Sequence, residues 1–252
     1  MGQRYTLYMN NKNEIIILKR SVFYTFAFIF LLWLVKAIEW GTHLDLGFLG
    51  VYPRTFYGTV GIFFAPLIHG NLFHLLSNTF PLILLGIGVF YFYNRIAKEV
   101  FLWIYFLSGF FVWIIARDAY HIGASGIVYG LVSFLFISGL VRKDTRSIAI
   151  SLIILVLYRG MIYGLIPGNE SISWESHVMG ASVGLVAAIY FRKVPVDPVM
   201  NIVLPDDRNE NKDELKQLFH YHYQEPANDT RKKITYTSKS DYLPDFKNKN
   251  MS

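Results

Sequence analysis

Six long apolar stretches constrain the fold of this chain more than any other feature of its sequence. Several approach the roughly 17–25 residues that a helix needs to cross a bilayer of about 30 Å. Their apolar residues run on continuously instead of alternating, which favours helices over strands. The predicted helices are Val22–Ile38, Leu72–Phe92, Val100–Ala116, Ser125–Val141, Ser147–Leu165 and His177–Phe191. We therefore expect an all-α polytopic membrane protein with six transmembrane helices.

The composition points the same way. Of the 252 residues, 53% are hydrophobic, and the mean hydropathy is +0.34, both high for a soluble domain. Cysteine is absent, which excludes disulfide bonds and thiolate metal sites. Residues 1–191 carry 13 Lys and Arg against 8 Asp and Glu, so the excess positive charge lies in the apolar part. Such an excess reports membrane orientation, and no nucleic-acid partner is expected.

The Lys and Arg residues around the predicted helices indicate that orientation. Cytoplasmic connections of membrane proteins are enriched in both residue types. With the N-terminus in the cytoplasm, the inner connections hold nine of these residues and the outer ones three. The inner set is Lys19, Arg20, Arg95, Lys98, Arg142, Lys143, Arg146, Arg192 and Lys193, and the outer set is Lys36, Arg54 and Arg117. Both termini are therefore predicted to be cytoplasmic.

Composition divides the chain into three predicted parts: a cytoplasmic segment (1–20), a six-helix membrane domain (21–193) and a cytoplasmic tail (194–252). Prolines and mixed charge predict a mostly disordered tail, with a short helix near Asp213–His222. The first outer loop, about Glu39–Asn71, is too apolar for a solvated linker. We expect it to lie partly in the membrane on short helical turns.

Polar residues that could carry chemistry collect at one edge of the predicted membrane domain. His74 and Asn78 share a face in the first turns of the second helix, Ser125 opens the fourth helix, and His177 opens the sixth. All three helix N-termini lie on the outer side in the predicted orientation. Free N–H groups there favour the oxyanion of an acyl-transfer reaction. Ser125 and His177 thus suggest a nucleophile and its base.

Glycines provide a reason for these two side chains to meet. Gly126 and Gly130 are spaced i,i+4, as are Gly180 and Gly184, and His177 lies on the face of the latter pair. Pairs of small residues at this spacing let helix backbones approach closely. Contact along these glycines would bring Ser125 towards His177, within the about 2.6–3.2 Å of a hydrogen bond.

Four motifs follow one another in a fixed order. They are Tyr52-Pro53-Arg54, then His69-Gly70-Asn71-Leu72-Phe73-His74 leading to Asn78, then Gly123-Ala124-Ser125-Gly126 with Tyr129, and finally His177 followed by Gly180 and Gly184. Together they resemble the rhomboid family of intramembrane serine proteases over residues 24–191. The resemblance implies a rhomboid-like bundle of bacterial type, in a bacterial plasma or inner membrane. It also implies an endopeptidase without a cofactor, whose substrates are single-pass membrane proteins.

The resemblance assigns roles to individual residues. Ser125 would be the nucleophile and His177 the general base, with no third acid. His74, Asn78 and the backbone N–H of Ser125 would form the oxyanion hole, and Tyr129 would stack on His177. Supporting roles fall to His69, which would hold the first loop, to Gly123, which would permit a tight approach, and to the packing glycines Gly126, Gly180 and Gly184.

Other interpretations of the same residues stay open. Ser125 could be a helix N-cap, His177 an interfacial histidine, and His74 with Asn78 a polar packing pair. Three outer histidines could suggest zinc, but the sequence has no HExxH motif and Ser125 would be unexplained, so no metal is expected. A non-catalytic rhomboid-like binder of transmembrane helices is the main alternative function, and a small transporter or channel is another.

A few further residues carry expectations of their own. His121 is expected at the surface, and His43, His220 and His222 are expected to face solvent. Arg159 is expected to snorkel to the outer surface. Many bacterial rhomboids carry Trp-Arg in the first loop where this chain has Val60-Gly61, which puts the usual loop-anchoring contacts in doubt.

Overall fold

The computed structural model describes residues 11–157, 163–168 and 173–196, together with the pairs 219–220 and 237–238. The helices are α1 (Asn11–Thr42), α2 (Gly61–Phe64), α3 (Leu72–Phe92), α4 (Ala97–Ile115), α5 (Ser125–Arg142), α6 (Thr145–Leu157) and α7 (Trp174–Tyr190). Short 3₁₀ helices at Tyr163–Leu165 and Phe191–Lys193 precede and follow α7. Residues 12–197 form one compact unit.

Four of the described helices are long and apolar enough to cross a membrane, namely α1, α3, α4 and α5. This confirms an all-α fold of the polytopic membrane type. The described part of α6 has 13 residues and α7 has 17, against the about 17 residues that a crossing needs. The count of six crossings therefore stays a prediction.

Helix α5 forms the centre of this unit and packs against α3, α4, α6 and α7. Side chains all around it are buried, among them Ile127, Leu131, Phe134 and Leu135. A helix that is apolar on every face is typical of such a central position. Ser125, its first residue, therefore starts at the meeting point of several helices.

Helix α3 has the predicted bounds, Leu72–Phe92. Asn71 has an extended backbone and caps the helix, since its side-chain oxygen accepts the N–H of His74 at 2.8 Å. The first turn of α3 is therefore fixed by a local hydrogen bond, and His74 and Asn78 follow on one face as expected.

The predicted bounds of the first helix are too short. Helix α1 runs from Asn11 to Thr42, so it also includes Lys19 and Arg20, which lie before the predicted start at Val22. Charged residues at the edge of an apolar stretch favour a helix end there, but long basic side chains can remain on a helix and reach out of the membrane at its ends.

The predicted fifth and sixth helices also need correction. Helix α6 is described as far as Leu157, and Tyr163–Leu165 is a 3₁₀ helix, so the predicted α-helix does not extend to Leu165. Arg159 lies outside the described residues. Helix α7 begins three residues before His177, because Ser173 caps it by accepting the N–H of Ser176 at 3.3 Å.

The first outer loop consists of short helical turns, as predicted. They are 3₁₀ helices at Gly47–Leu49, Tyr57–Val60 and Ala65–Leu67, with α2 between the last two. The loop packs against α4: Trp113 Nε1 donates to the Thr55 carbonyl at 2.8 Å, and Tyr105 Oη donates to the Phe63 carbonyl at 2.5 Å. Exposed aromatic side chains such as Phe56 are consistent with a loop partly in the membrane.

Most of the tail lies outside the described residues, so its predicted disorder stays a prediction. Within it, β1 (Phe219–His220) pairs antiparallel with β2 (Thr237–Ser238). Phe219 and His220 fall inside the short helix expected at residues 213–222, so that expectation is wrong at these two positions. The predicted solvent exposure of His220 and His222 lies outside the described side chains.

Candidate active site

Ser125 and His177 form a direct side-chain contact. The distance between Ser125 Oγ and His177 Nε2 is 2.8 Å, within the range of a hydrogen bond between a nucleophile and its base. Ser125 is half-buried at the start of α5, and His177 is 8% exposed in the first turns of α7. The pair thus lies where two helix N-termini meet.

The contact of the other ring nitrogen of His177 determines which of its two nitrogens carries the hydrogen. His177 Nδ1 is 2.8 Å from the carbonyl oxygen of Gly164. A carbonyl can only accept a hydrogen bond, so Nδ1 carries the hydrogen and Nε2 of the neutral ring has the lone pair. Nε2 is therefore free to accept the hydroxyl proton of Ser125, which is the arrangement that a general base requires.

Tyr129 holds the ring of His177 from one side. The two rings are stacked with centroids 4.1 Å apart and planes at 10°. Tyr129 lies one turn after Ser125 on α5, so the same helix supplies both the hydroxyl that meets His177 and the surface on which His177 rests. The imidazole has little room to rotate away from Ser125.

A seam of glycines brings the two helices this close. A Cβ on Gly180 would lie 2.0 Å from the carbonyl oxygen of Gly126, and a Cβ on Gly184 would lie 2.1 Å from that of Gly130. A Cβ on Gly126 would lie 3.0 Å from the carbonyl oxygen of Ser176. The neighbours are backbone atoms, which cannot move aside as a side-chain tip can. The predicted close approach along these glycines is confirmed.

His74 lies against the turn that leads into Ser125. Gly123 has a φ of +104°, which favours glycine. A Cβ there would also lie 2.7 Å from Cε1 and 2.8 Å from Nε2 of His74. Gly123 is therefore needed twice, for its backbone conformation and for the space that the His74 ring occupies.

Asn78 is buried one turn further along α3. Its side-chain amide donates to the backbone carbonyl of His74 at 3.2 Å. An amide group has two N–H donors, so one remains for another acceptor. Asn78 and His74 are thus tied together on the face of α3 that approaches the Gly123 turn.

His69 connects the first loop to that turn. It is 1% exposed, and its Nε2 accepts the backbone N–H of Ala124 at 3.3 Å, while its own carbonyl accepts from Lys36 Nζ at 2.7 Å. Desolvation by burial, and then the nearby His74, lower the pKa of His69 to about 3. The neutral ring is the form that can accept from Ala124, so the burial of His69 and its hydrogen bond favour the same state.

With this geometry in place, comparison with known proteins decides the family. A family model of the rhomboid domain matches residues 54–194. The chain belongs to the rhomboid family. The match covers α2 to α7, and so includes each element that contributes to the Ser125–His177 contact.

Proteins of three mycobacteria are similar to this chain over about the same length. An uncharacterized protein of Mycobacterium tuberculosis is 36% identical over 177 residues, which is 64% of this chain and 71% of the relative. An uncharacterized protein of Mycobacterium bovis gives the same values. One of Mycobacterium leprae is 34% identical over 175 residues, 64% of this chain and 68% of the relative. The names of these relatives state neither an activity nor a family, so the family assignment rests on the rhomboid domain model.

The rhomboid site also uses residues that the sequence did not reveal. Gly164 contributes through its carbonyl, and any residue type can supply a carbonyl. His121 was expected at the surface, which is wrong, because it is 2% exposed. Its Nδ1 lies 2.6 Å from Ser173 Oγ and its Nε2 lies 3.0 Å from the Arg117 carbonyl. Since Ser173 caps α7, His121 ties the loop before α5 to the helix that carries His177.

Burial lowers the pKa of His121 more than the Arg117 carbonyl raises it. His121 also pairs with the first loop, because its N–H donates to the carbonyl of Val51 at 2.9 Å and its carbonyl accepts from Val51 at 3.0 Å. A sequence motif cannot show this pairing, which joins residues 70 positions apart in the chain. His43 is exposed, as expected.

The first loop of this rhomboid has anchors of its own where Val60-Gly61 replaces Trp-Arg. A Cβ on Gly61 would lie 2.2 Å from the backbone nitrogen of Val51, so glycine lets two loop strands cross. Arg54 donates to the Ala116 carbonyl at 2.7 Å and forms an ion pair with Asp118. The loop is therefore held by a backbone crossing and by the Arg54 side chain.

Proposed function

We propose that this rhomboid is an intramembrane serine endopeptidase in which Ser125 and His177 act as nucleophile and base. The observation that carries the proposal is the 2.8 Å contact between Ser125 Oγ and His177 Nε2, with Nδ1 of the same ring held by the Gly164 carbonyl. A packing serine has no need of a neutral imidazole aligned in this tautomer, nor of the Tyr129 ring stacked behind it.

The chemistry is acyl transfer in two stages. As Ser125 Oγ bonds to the scissile carbonyl carbon, its proton passes to His177 Nε2. The C–N bond then breaks, and His177 gives this proton to the leaving amine. In the second stage His177 takes a proton from water, whose oxygen bonds to the acyl carbon. The ester bond to Ser125 breaks, and the proton returns to Ser125 Oγ.

The negative charge of each tetrahedral intermediate needs donors that are already in place. We assign this role to the Ser125 N–H, the His74 ring and the Asn78 amide. The first N–H groups of α5 have no acceptor within the helix, and Asn78 retains one amide hydrogen after its bond to His74. The positive end of the α5 dipole adds to the same effect.

Hydrolysis also requires water beside Ser125. A cavity of about 30 Å³ adjoins Gly126 and is lined in part by His121, Ser108 and Ser176. That volume is sufficient for one water molecule, and the hydroxyl oxygens of Ser108 and Ser176 can accept a hydrogen bond from it. This cavity supports the second stage of the reaction, in which the acyl-enzyme must meet water away from bulk solvent.

The proposed substrates are single-pass membrane proteins cleaved near the outer face. The positive-inside pattern supports an orientation with both termini in the cytoplasm and Ser125 near the outer boundary of the membrane, which we propose to be a bacterial plasma membrane. A fully hydrogen-bonded helix hides its carbonyl carbons, so a substrate must unwind locally. Helix-breaking and small residues close to the outer edge of the substrate helix are therefore expected.

The test is cleavage of a model transmembrane substrate by the purified full chain in detergent. Wild type is compared with Ser125→Ala, His177→Ala and, as a matched control, Ser138→Ala. Ser138 lies on the same helix, is fully buried and has no hydrogen-bond partner for its hydroxyl among the described residues. We expect cleavage by wild type and Ser138→Ala and none by the other two. Cleavage that persists in Ser125→Ala or His177→Ala would refute the assignment.

The same assay gives a pH profile. Because His177 must be neutral to accept the serine proton, the rate falls once acid protonates its ring. A rate that stays level with falling pH until the protein unfolds in acid would speak against a histidine base. A non-catalytic binder would capture the substrate helix without cleaving it at any pH.

A further inference from the structure

Two adjoining cavities lie between α1, α3 and α4, on the side of the bundle away from the Ser125–His177 contact. The first, of about 240 Å³, is lined mostly by apolar side chains, including Phe28, Leu82 and Phe101. The second, of about 430 Å³, is lined by Arg20, Arg95 and Lys98, among others. We call them the apolar cavity and the basic cavity.

The two cavities adjoin, so together they offer one elongated space with a shared wall. Both are lined by Tyr24, Phe90 and Lys98, so these residues mark their common boundary. Along α1, Phe28 follows Arg20 by eight positions, which corresponds to about 12 Å of helix. The space therefore has a charged end and an apolar end, arranged along the helix axes.

The charge of the basic cavity favours an anion. Three cationic side chains line it against the single carboxylate of Glu99. Lys98 Nζ also lies 4.9 Å above the ring of Tyr24, a cation–π contact that places the ammonium group at the common boundary. Basic pockets between transmembrane helices on the cytoplasmic side are suited to anionic lipid headgroups.

The apolar cavity contains one polar atom that protein contacts do not explain. Thr25 is 4% exposed, and among the described residues its Oγ1 has no hydrogen-bond partner. A buried hydroxyl without a partner is costly. Thr25 lies between the basic and the apolar ends, where the ester carbonyl of a glycerolipid would follow its phosphate. Such a carbonyl could accept the Thr25 hydroxyl only after the side chain rotates, because Oγ1 is closed off from the cavity in this structure.

We propose that the two cavities bind one anionic diacyl glycerophospholipid, with its phosphate in the basic cavity and one acyl chain in the apolar cavity. The amphipathic shape of the space distinguishes this ligand from a free phosphate, which would use the basic cavity alone. It also distinguishes it from a neutral lipid, which would not use the three cations. The site is separate from the proposed dyad, so it does not depend on the proposed function.

The experiment measures binding to the purified full chain in a neutral detergent by native mass spectrometry and by the shift in Tm. The probes are dioleoyl phosphatidylglycerol, dioleoyl phosphatidylcholine and glycerol 3-phosphate. We expect one bound phosphatidylglycerol and a raised Tm, weaker binding of phosphatidylcholine, and no shift with glycerol 3-phosphate. Equal binding of the two lipids, or an equal shift with glycerol 3-phosphate, would overturn the proposal.

Variants locate the site. Arg20→Gln combined with Lys98→Gln should weaken phosphatidylglycerol binding by roughly fivefold for each charge removed. Lys193→Gln is the matched control, since Lys193 is exposed and lies outside both cavities on the same predicted side of the membrane. It should bind like wild type. Leu102→Trp fills part of the apolar cavity and should reduce lipid binding while the cations remain. Wild-type affinity in the double variant, or an equal loss in Lys193→Gln, would refute the site.

Discussion

The two sides of this helical bundle are built in opposite ways. Where α5 meets α7, Gly180 faces a backbone carbonyl at a distance that leaves no room for a Cβ. Where α1 meets α3, Gly86 faces the side chain of Thr25, and cavities remain beside it. Backbone contact fixes the distance between two helices more narrowly than side-chain contact does. The chain thus places its proposed chemistry at the interface that varies least, and leaves free space at the other.

The largest expected effect is the loss of activity when a methyl group is added to Gly180 in the seam between α5 and α7. Gly180→Ala would place Cβ 2.0 Å from the carbonyl of Gly126, so α5 and α7 must separate. A displacement of about 1 Å at reacting groups can reduce a rate about 100-fold, and we expect at least that loss in the cleavage assay, with a lower Tm. Gly41→Ala on α1 is the matched change, because a Cβ there meets nothing within 4 Å. It should leave both values unchanged or raise Tm slightly. Similar losses in both variants would remove the contrast between the two sides.

Tyr129 offers a smaller test within the seam. Tyr129→Phe keeps the ring that stacks on His177, whereas Tyr129→Ala removes it. An aromatic pair contributes about 0.5–1.5 kcal/mol, so loss of the ring should lower the cleavage rate by up to roughly tenfold, measured as kcat on the same substrate. Tyr129→Phe should stay closer to wild type. If the Phe and Ala variants lose equal activity, the stacked ring does not position His177.

How far the sequence predicts this structure depends on the range of the contacts. The bounds of α3 follow from the local Asn71 cap, and the Gly180–Gly126 contact follows from spacing that any reader of the chain can count. The predicted start of α7 at His177 is too late because the cap at Ser173 precedes the apolar run of this helix. Gly164 contributes a backbone carbonyl, which every residue type has, so the sequence cannot identify its role.

The buried position of His121 shows a further limit. It depends on a backbone pairing with Val51 and on a hydrogen bond to Ser173, which join distant parts of the chain. The distances within the Ser125–His177 site likewise come from packing. The sequence could predict that these residues lie near each other, but not which nitrogen of His177 faces the hydroxyl.

The smallest expected effect concerns acid. The pKa of His69 is lowered to about 3 by burial and by His74, so in the folded state the ring stays neutral while the unfolded chain takes up a proton below about 6.5. The contribution of His69 to the free energy of unfolding is therefore most favourable above about pH 6.5 and becomes less favourable as the pH drops towards about 3. We expect Tm in detergent to decline over this window. His69→Gln, which keeps an acceptor for Ala124 but cannot be protonated, should show a weaker decline.

His43→Asn provides the control for the acid experiment, since His43 is exposed and should not alter the pH dependence of Tm. The comparison sets an exposed histidine against His69, which, like the buried His121, supports the end of the glycine seam near Ser125. If His69→Gln and wild type lose Tm equally with acid, then His69 does not couple the loop to protonation.

The contact between Ser125 and His177 is tested most directly by a fluorophosphonate probe, with intact-mass and peptide analysis of the detergent-solubilised chain. A serine activated by a neutral imidazole attacks phosphorus, whereas a packing serine does not. The account predicts one adduct on wild type, located at Ser125, no adduct on Ser125→Ala, and labelling of His177→Ala slowed by about 100-fold or more. A wild-type chain that stays unlabelled, or a His177→Ala chain labelled at the wild-type rate, would contradict it.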